Sequence, residues 1–337
     1  MIFDFKKETL HFIKPAKTSR GEYLEKTSYL ISLSNGKNLT LVAEASPLVD
    51  LSTDGTVNLE ELLKPWVGKV FTRETLISII EEFEPYPTLR FAFVCLLKKW
   101  DSNSNTWVIN TFTEGKSKIE INGLVWMNDI NGMREEALNK IEAGFRCIKL
   151  KVGALDFDAE CRLIEEIRKK HNAFKAEIRL DANGAFLIDD ANEKLHELSR
   201  FEIHSIEQPI KAGQWDELEC VIAQSEIDIA LDEELIGLPL SSANLLLNKT
   251  NPEYLILKPT LIGGFDRCED WINLAEKNNI GWWSTSALEG NIGLYDIAQW
   301  VSQYDNLLPQ GLGTGSLFVK NFDPKTTIES GYLYCLK

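Results

Sequence analysis

The sequence predicts an α/β protein in which an N-terminal α+β module precedes a (β/α)-type barrel. After Gly123, short apolar runs alternate with roughly ten to fifteen residues of amphipathic helix, the rhythm of repeated β/α units. Before about residue 115 the order differs, with β-prone runs first and helices afterwards, as in an α+β module. Ionisable residues close the apolar runs of the second part at the period of the repeat.

In chain order, "TSYLISLSNGKNLTLVAEASP" reads as two strands joined at Asn35-Gly36, a two-residue hairpin signal. Helical patterns follow over 57–65, 73–82 and 88–100. A polar stretch rich in Gly, Ser and Asn marks a boundary near 105–120. The barrel strands are then "GLVWM", "FRCIKLK", "AEIRLD", "IHSIEQP", "IDIALDE", "YLILKP", "IGWWSTS" and "NLLPQGLG". Between them helices are expected over 133–143, 158–170, 189–199, 214–225, 264–278 and 291–303.

Composition narrows the function. The chain has 337 residues, 44% of them apolar, enough for a large core. With 36 Lys plus Arg against 51 Asp plus Glu the net charge is −15, and no basic run offers a footing for nucleic acid or an anionic membrane. Cys95, Cys147, Cys161, Cys220, Cys268 and Cys335 show no C-x-x-C spacing, so reduced thiols in the cytoplasm are expected. The N-terminus has no uninterrupted apolar region of the signal-peptide kind, and no segment reaches the roughly 18 apolar residues of a membrane span.

The chemistry lies in where charge falls. Lys151, Asp181, Glu207, Asp232, Lys258 and Ser284 close successive runs at spacings of 30, 26, 25, 26 and 26 residues. Strand C-termini of a barrel converge on one face, so these residues are expected to meet there. Asp181, Glu207 and Asp232 would repel one another if bare, and an oxygen-only set suits Mg2+ or Mn2+. Lys149 and Lys151, two apart on a strand, project the same way, and crowding two cations is expected to lower the pKa of at least one. A local positive patch of this kind fits a small anionic substrate.

The motifs "IKLKVG", "RLDANGAF", "IEQPI", "ALDEEL", "LKPTLIGG" and "STSALEGNIGL" together resemble the enolase superfamily, muconate-lactonizing subgroup. "KTSRGEY", "YPTLRFAF", "INGLVWM" and "GLGTG" are similar to its o-succinylbenzoate-forming branch. The chain departs from the family where a glycine-rich G-x-G-E is common, reading Val42-Ala43-Glu44-Ala45, and has Val94 where an acid is frequent. The resemblance implies a modified TIM barrel, (β/α)7β, with an N-terminal α+β capping domain. Its expected extents are 1–115 for the cap, 116–315 for the barrel and 316–337 for a segment returning to the cap.

It further implies a lyase of menaquinone biosynthesis that eliminates water, through an enediolate, from a succinyl-bearing hydroxycyclohexadiene carboxylate. Asp181, Glu207 and Asp232 would hold Mg2+; Lys151 would move the proton, Lys258 would stabilise the opposite face and Lys149 would tune the pair. Asn183 and Glu233 would support the metal site, the alternative for Glu233 being a surface role. Ser286, Gly311 and Thr314 are candidates for the succinyl end. Arg20 is a candidate to close over a carboxylate, the alternative being a solvated arginine. The nearest rival within the superfamily is an N-acylamino-acid racemase or dipeptide epimerase, which would use Lys151 and Lys258 as opposed bases. A rival of another class is a phosphate-binding barrel using Gly263-Gly264, or a non-catalytic binding protein.

Overall fold

A computed structural model describes residues 1–18 and 21–336. Strands β1 (Ile2–Thr18), β2 (Gly21–Ser34) and β3 (Thr40–Ala45) form an antiparallel sheet in that order. The long first strand is absent from the sequence reading, because Lys and Glu interrupt its alternation. Asn35-Gly36 does lie in a hairpin turn, but Ser34 pairs with Thr40, so the loop has five residues rather than two. Asn35 Oδ1 accepts the backbone N–H groups of Lys37, Asn38 and Leu39, replacing the tight turn by an Asx-type loop.

Three helices follow: α1 (Leu59–Leu63), α2 (Arg73–Glu82) and α3 (Pro87–Ser102). Pro87 starts α3 where no N–H is needed, and Asn103 ends it in the left-handed region at φ 53°. Leu89, Ala92, Phe93 and Leu96, spaced i, i+3, i+4, i+7, form a fully buried stripe facing β3. Burying each of the larger side chains contributes about 1.5–3 kcal/mol.

Strand β4 (Lys118–Glu120) leads into seven parallel strands: β5 (Gly123–Val125), β6 (Cys147–Lys151), β7 (Glu177–Asp181), β8 (Ser205–Glu207), β9 (Asp228–Leu231), β10 (Tyr254–Leu257) and β11 (Gly281–Ser284). They pair in sequence order into one sheet. Helices α4 (Ile130–Glu142), α5 (Phe157–Lys170), α6 (Ile188–Ser199), α7 (Trp215–Gln224), α8 (Leu240–Thr250), α9 (Pro259–Ile262), α10 (Phe265–Lys277) and α11 (Asn291–Val301) fill the connections. Asp129 and Asp156 cap α4 and α5 by accepting the N–H groups of Gly132 and Ala159. The sequence reading omits α8: Ser241, Ser242, Asn244 and Asn248 dilute its pattern, although Ala243, Leu246, Leu247 and Thr250 make a buried stripe.

The eighth expected strand is reduced to two bridges. Gln310 pairs with Ile121 and Gly311 with Thr285, so this run sits between the first and last strands and closes the barrel. Arg179 reaches it across the interior, donating to the Pro309 carbonyl at 2.8 Å while its guanidinium lies 3.9 Å from the Trp283 ring centroid. The fold is thus the (β/α)7β arrangement, a mixed α/β structure with an antiparallel N-terminal sheet. Residues 317–319 then run against β1, with Phe318 bridged to Phe12; β12 (Thr326–Glu329) pairs with β13 (Tyr332–Cys335), which pairs with β4. Among the described residues, no helix is long and apolar enough to cross a membrane.

The N-terminal elements are joined to the barrel by buried charge. Arg90 of α3 forks onto Asp266 and donates to the Gly263 carbonyl, so Gly263-Gly264 serves this junction rather than cradling a phosphate. Lys99 of α3 meets Asp296 of α11 at 2.6 Å, both almost fully buried. Removing one partner of such a pair strands a charge, whereas removing both does not. Lys99→Met is therefore expected to cost about 3–5 kcal/mol in urea unfolding. Adding Asp296→Leu should recover most of that loss; a double variant as unstable as the single would show that packing, not charge, dominates this contact.

Candidate active site

The apolar runs are strands because both faces are covered, one by helices and one by the barrel interior. In β6, "CIKLK", every residue is buried, so Lys149 and Lys151 can point only inward, with Ile148 and Leu150 on the other face. The parallel register pairs Lys151 with Asp181 and Asp181 with Glu207, setting three of the charges on one rung at the strand ends. Asp232 and Lys258 follow immediately after β9 and β10. The structure thus brings together Lys149, Lys151, Asp181, Glu207, Asp232 and Lys258 at the C-terminal face, while Ser284, the last residue of β11, takes no part in these ion pairs.

Their geometry is an ionic lattice. Lys149 Nζ lies 2.8 Å from Glu207 Oε2 and 3.1 Å from Asp181 Oδ2. Lys151 Nζ lies 2.7 Å from the same Asp181 oxygen, and Lys258 Nζ is 2.5 Å from Asp232 Oδ2. None of the six exceeds 8% exposure, so each depends on its neighbours for compensation. Burial opposes the charge of Asp181, but Lys151, Lys149 and Lys258 outweigh it and hold the carboxyl far below its usual range. Glu207 is lifted to about 7, by burial first and then by Asp181 and Asp232, against the pull of Lys149.

The expected lowering of a lysine pKa by its twin does not occur at Lys149. Burial disfavours its charge, yet Glu207, Asp181 and Asp232 more than offset this and raise it. Lys258 is raised in the same way, with Asp232 and Glu233 overcoming burial. The carboxylates on the adjoining strands outweigh the nearby ammonium group.

Asn183, at φ 45°, turns its side chain into the lattice. Its Oδ1 accepts from Lys151 Nζ at 2.6 Å and its Nδ2 donates to Glu233 Oε1 at 3.0 Å. Glu233 is buried, which removes the surface alternative. Gln208, which the sequence did not single out, ties two strand ends: its Oε1 accepts the N–H groups of Asp232 and Glu234 and its Nε2 donates to the Ile210 carbonyl.

Above the charges lies a cleft of about 800 Å3 including its mouth. Lys149, Lys151, Asp181, Asn183 and Lys258 form its floor, and Ser286, Gly311 and Thr314 line one side as expected. Ser286 Oγ and Thr314 Oγ1 are 2.6 Å apart and hydrogen-bonded to each other. Arg20 lies outside the described residues. Sequence reasoning missed the apolar walls. Leu124 and Trp126 share a face with Asn122 at period two, a signal that "INGLVWM" did carry. Tyr23, Leu48 and Leu51 come from the N-terminal elements and reach the cleft only through docking, for which no local pattern exists.

The donor chemistry suits a hard divalent cation. Glu207 Oε1 and Asp232 Oδ1 are buried carboxylate oxygens without a hydrogen-bond partner, a costly state that an ion would relieve. In this structure the acids are engaged by lysines, and among the described residues no three His, Cys, Asp or Glu close on a common point.

The family described as enolase C-terminal domain-like matches residues 132–335. An o-succinylbenzoate synthase of Desulfotalea psychrophila is 38% identical over 99% of this chain and 98% of its own length. The crystal structure of MenC from the same organism has a TM-score of 0.83 at 34% identity, covering 99% of each chain. The substrate-liganded L-Ala-D/L-Glu epimerase of Bacillus subtilis has a TM-score of 0.85 at 19% identity, covering 99% of this chain and 95% of that one, a likeness of fold.

Gly311 tests the closeness of the cleft wall. A Cβ there would stand 2.5 Å from Thr285 Oγ1 and 2.9 Å from Thr285 Cβ. Gly311→Ala is expected to destabilise by about 1–3 kcal/mol through overpacking. Thr285→Ala in the same chain should return most of this in thermal unfolding; an additive pair would show that the clash lies elsewhere.

Proposed function

This chain belongs to the enolase superfamily and is an enzyme of it, and on that premise we propose that it is an o-succinylbenzoate synthase. The reaction would remove water from 2-succinyl-6-hydroxy-2,4-cyclohexadiene-1-carboxylate, in menaquinone biosynthesis in the cytoplasm. One observation carries the reading most: three ammonium groups and three carboxylates, all buried, meet at successive strand ends beneath an apolar cleft. Identity of 38% along the whole chain to a synthase of that name supports the same reaction.

The residues divide the work by position. Lys151, at the cleft floor with Asn183 and Asp181 as its partners, takes the proton alpha to the substrate carboxylate when neutral. As an ammonium it returns that proton to the departing hydroxyl, so one C–H and one C–O bond break, a ring double bond forms and water leaves. Lys258, fixed by Asp232 across the floor, offers a positive charge to the opposite face of the ring. Lys149 holds Asp181 and Glu207 in place. Asp181, Glu207 and Asp232 would hold Mg2+ or Mn2+, whose charge when bound stabilises the negative charge that builds on the substrate carboxylate. Asn183 and Glu233 would orient this set, and Ser286, Gly311 and Thr314 would face the succinyl end.

Racemisation of N-acylamino acids or epimerisation of dipeptides is the second reading, favoured by Lys151 and Lys258 in one cleft. A dipeptide's ammonium group needs an acid at the far wall, and the lining there is Ser286, Ala287, Leu288, Gly311 and Thr314.

The direct test supplies the cyclohexadiene with Mg2+ and follows the aromatic product by ultraviolet absorbance. Turnover is expected, lost on chelation and restored by Mg2+; epimerisation of a dipeptide in its place would transfer the assignment to the second reading. Lys151→Ala should lower kcat at least about 1,000-fold. It should leave Mn2+ binding intact in a titration without substrate; retained turnover would identify another base.

A further inference from the structure

A second buried ionic group lies behind the cleft wall, formed by the N-terminal sheet and the loop after β11. Lys26 of β2 is only 5% exposed and points into that loop. Its Nζ donates to the carbonyl of Ala287 at 2.7 Å and of Leu288 at 3.0 Å. Both residues line the cleft. Leu288 sits at φ 62°, in the left-handed region that a leucine adopts only when its surroundings impose it. Its side chain packs with Leu48, Leu261 and Phe318 into the apolar wall.

The same loop is fixed from its other side. Glu289 accepts from the N–H of Ala287 at 2.8 Å and from Thr260 Oγ1 at 2.5 Å. Leu288 N–H donates to Ser286 Oγ at 3.0 Å. Glu44 of β3, the residue in the departing Val42-Ala43-Glu44-Ala45 segment, accepts from Ser28, Gly290 and Gly293 and so receives the start of α11. Glu289 and Glu44 are the charged groups that face Lys26. The loop's own acceptors are engaged: the two carbonyls go to Lys26, and Glu289 accepts from Ala287 N–H and Thr260.

We propose that Lys26 is a positioning residue that clamps the loop 286–289 in its strained turn, so that the cleft wall accepts an uncharged or acidic substrate end and rejects an ammonium group. The proposal rests on the o-succinylbenzoate synthase reading for its substrate and adds the element that sets specificity. Lys26 touches the wall and not the charges on the cleft floor, so its loss acts on substrate fit rather than on proton transfer.

The effect carries a pH signature. Burial pulls the Lys26 ammonium down to about 8, against the pull of Glu289 and Glu44. Its charge is therefore present below pH 8 and lost above it, and the two hydrogen bonds weaken as pH rises. An arginine in its place stays charged throughout.

Lys26→Met is expected to raise KM for the cyclohexadiene at least tenfold with kcat within threefold, and in its crystal structure Leu288 should leave the left-handed region. Lys26→Arg should keep KM within threefold of the parent. In the parent protein KM should rise about threefold between pH 7 and pH 9.5, and Lys26→Arg should abolish that rise. A fall in kcat at unchanged KM, or an unmoved loop in Lys26→Met, overturns the proposal. Should Lys26→Met fail to fold, the comparison of pH profiles decides: identical profiles for parent and Lys26→Arg overturn it. Absence of turnover in the parent protein counts against the functional reading alone, because the loop in Lys26→Met is read by crystallography without substrate.

Discussion

Asp181 Oδ2 is shared by two buried ammonium groups, and this shared contact is the constraint on which the rest of the site depends. An isolated carboxylate or ammonium in so dry a place would cost several kcal/mol. The strand ends can carry charge only if neighbouring strands deliver the opposite charge at the same height. Parallel pairing does so: Lys151, Asp181 and Glu207 are direct partners across three consecutive strands. Each strand is then committed to its register, since a slip of one residue would turn Lys149 and Lys151 into the helix layer.

Closure of the cleft depends on a different set of contacts. Tyr23, Leu48 and Leu51 complete the wall only if the N-terminal sheet is seated, and seating relies on buried polar pairs as much as on apolar area. Lys99 with Asp296 and Glu44 with the N-terminus of α11 are such buried pairs, and the buried Arg90 reaching the half-exposed Asp266 anchors a third corner of that junction. Charge makes this junction specific in orientation, because an apolar face could slide where a buried pair cannot.

The barrel was legible in the sequence because its two periodicities are local. Strand ends carrying Asp181, Glu207, Asp232 and Lys258 could be found by counting residues, and the structure brings them together. What was not legible depends on partners distant in the chain. The direction of the Lys149 shift needs the carboxylates of three other strands. The eighth run, "NLLPQGLG", reads as a strand but has only two bridges, at Gln310 and Gly311, just after Pro309, which lacks an N–H. The role of Gln208 follows from a left-handed turn at φ 41° that no propensity announces. Arg20 belongs to neither group, lying outside the described residues.

The division between strand ends and loops explains how one fold carries different reactions. The epimerase of Bacillus subtilis shares this fold at a TM-score of 0.85 with 19% identity, so most side chains have changed while the backbone has not. Strand-end charges are tied to one another through the sheet and cannot drift singly, because each loss strands a partner. Loops after the strands are under no such restraint: a loop can exchange an acid for Ser286 or Leu288 without disturbing Lys151 or Asp181. In this chain such loops supply Ser286, Ala287, Leu288, Gly311 and Thr314 to the cleft; the Ser286 and Thr314 hydroxyls bond to each other, and the Ala287 and Leu288 carbonyls are held from behind by Lys26.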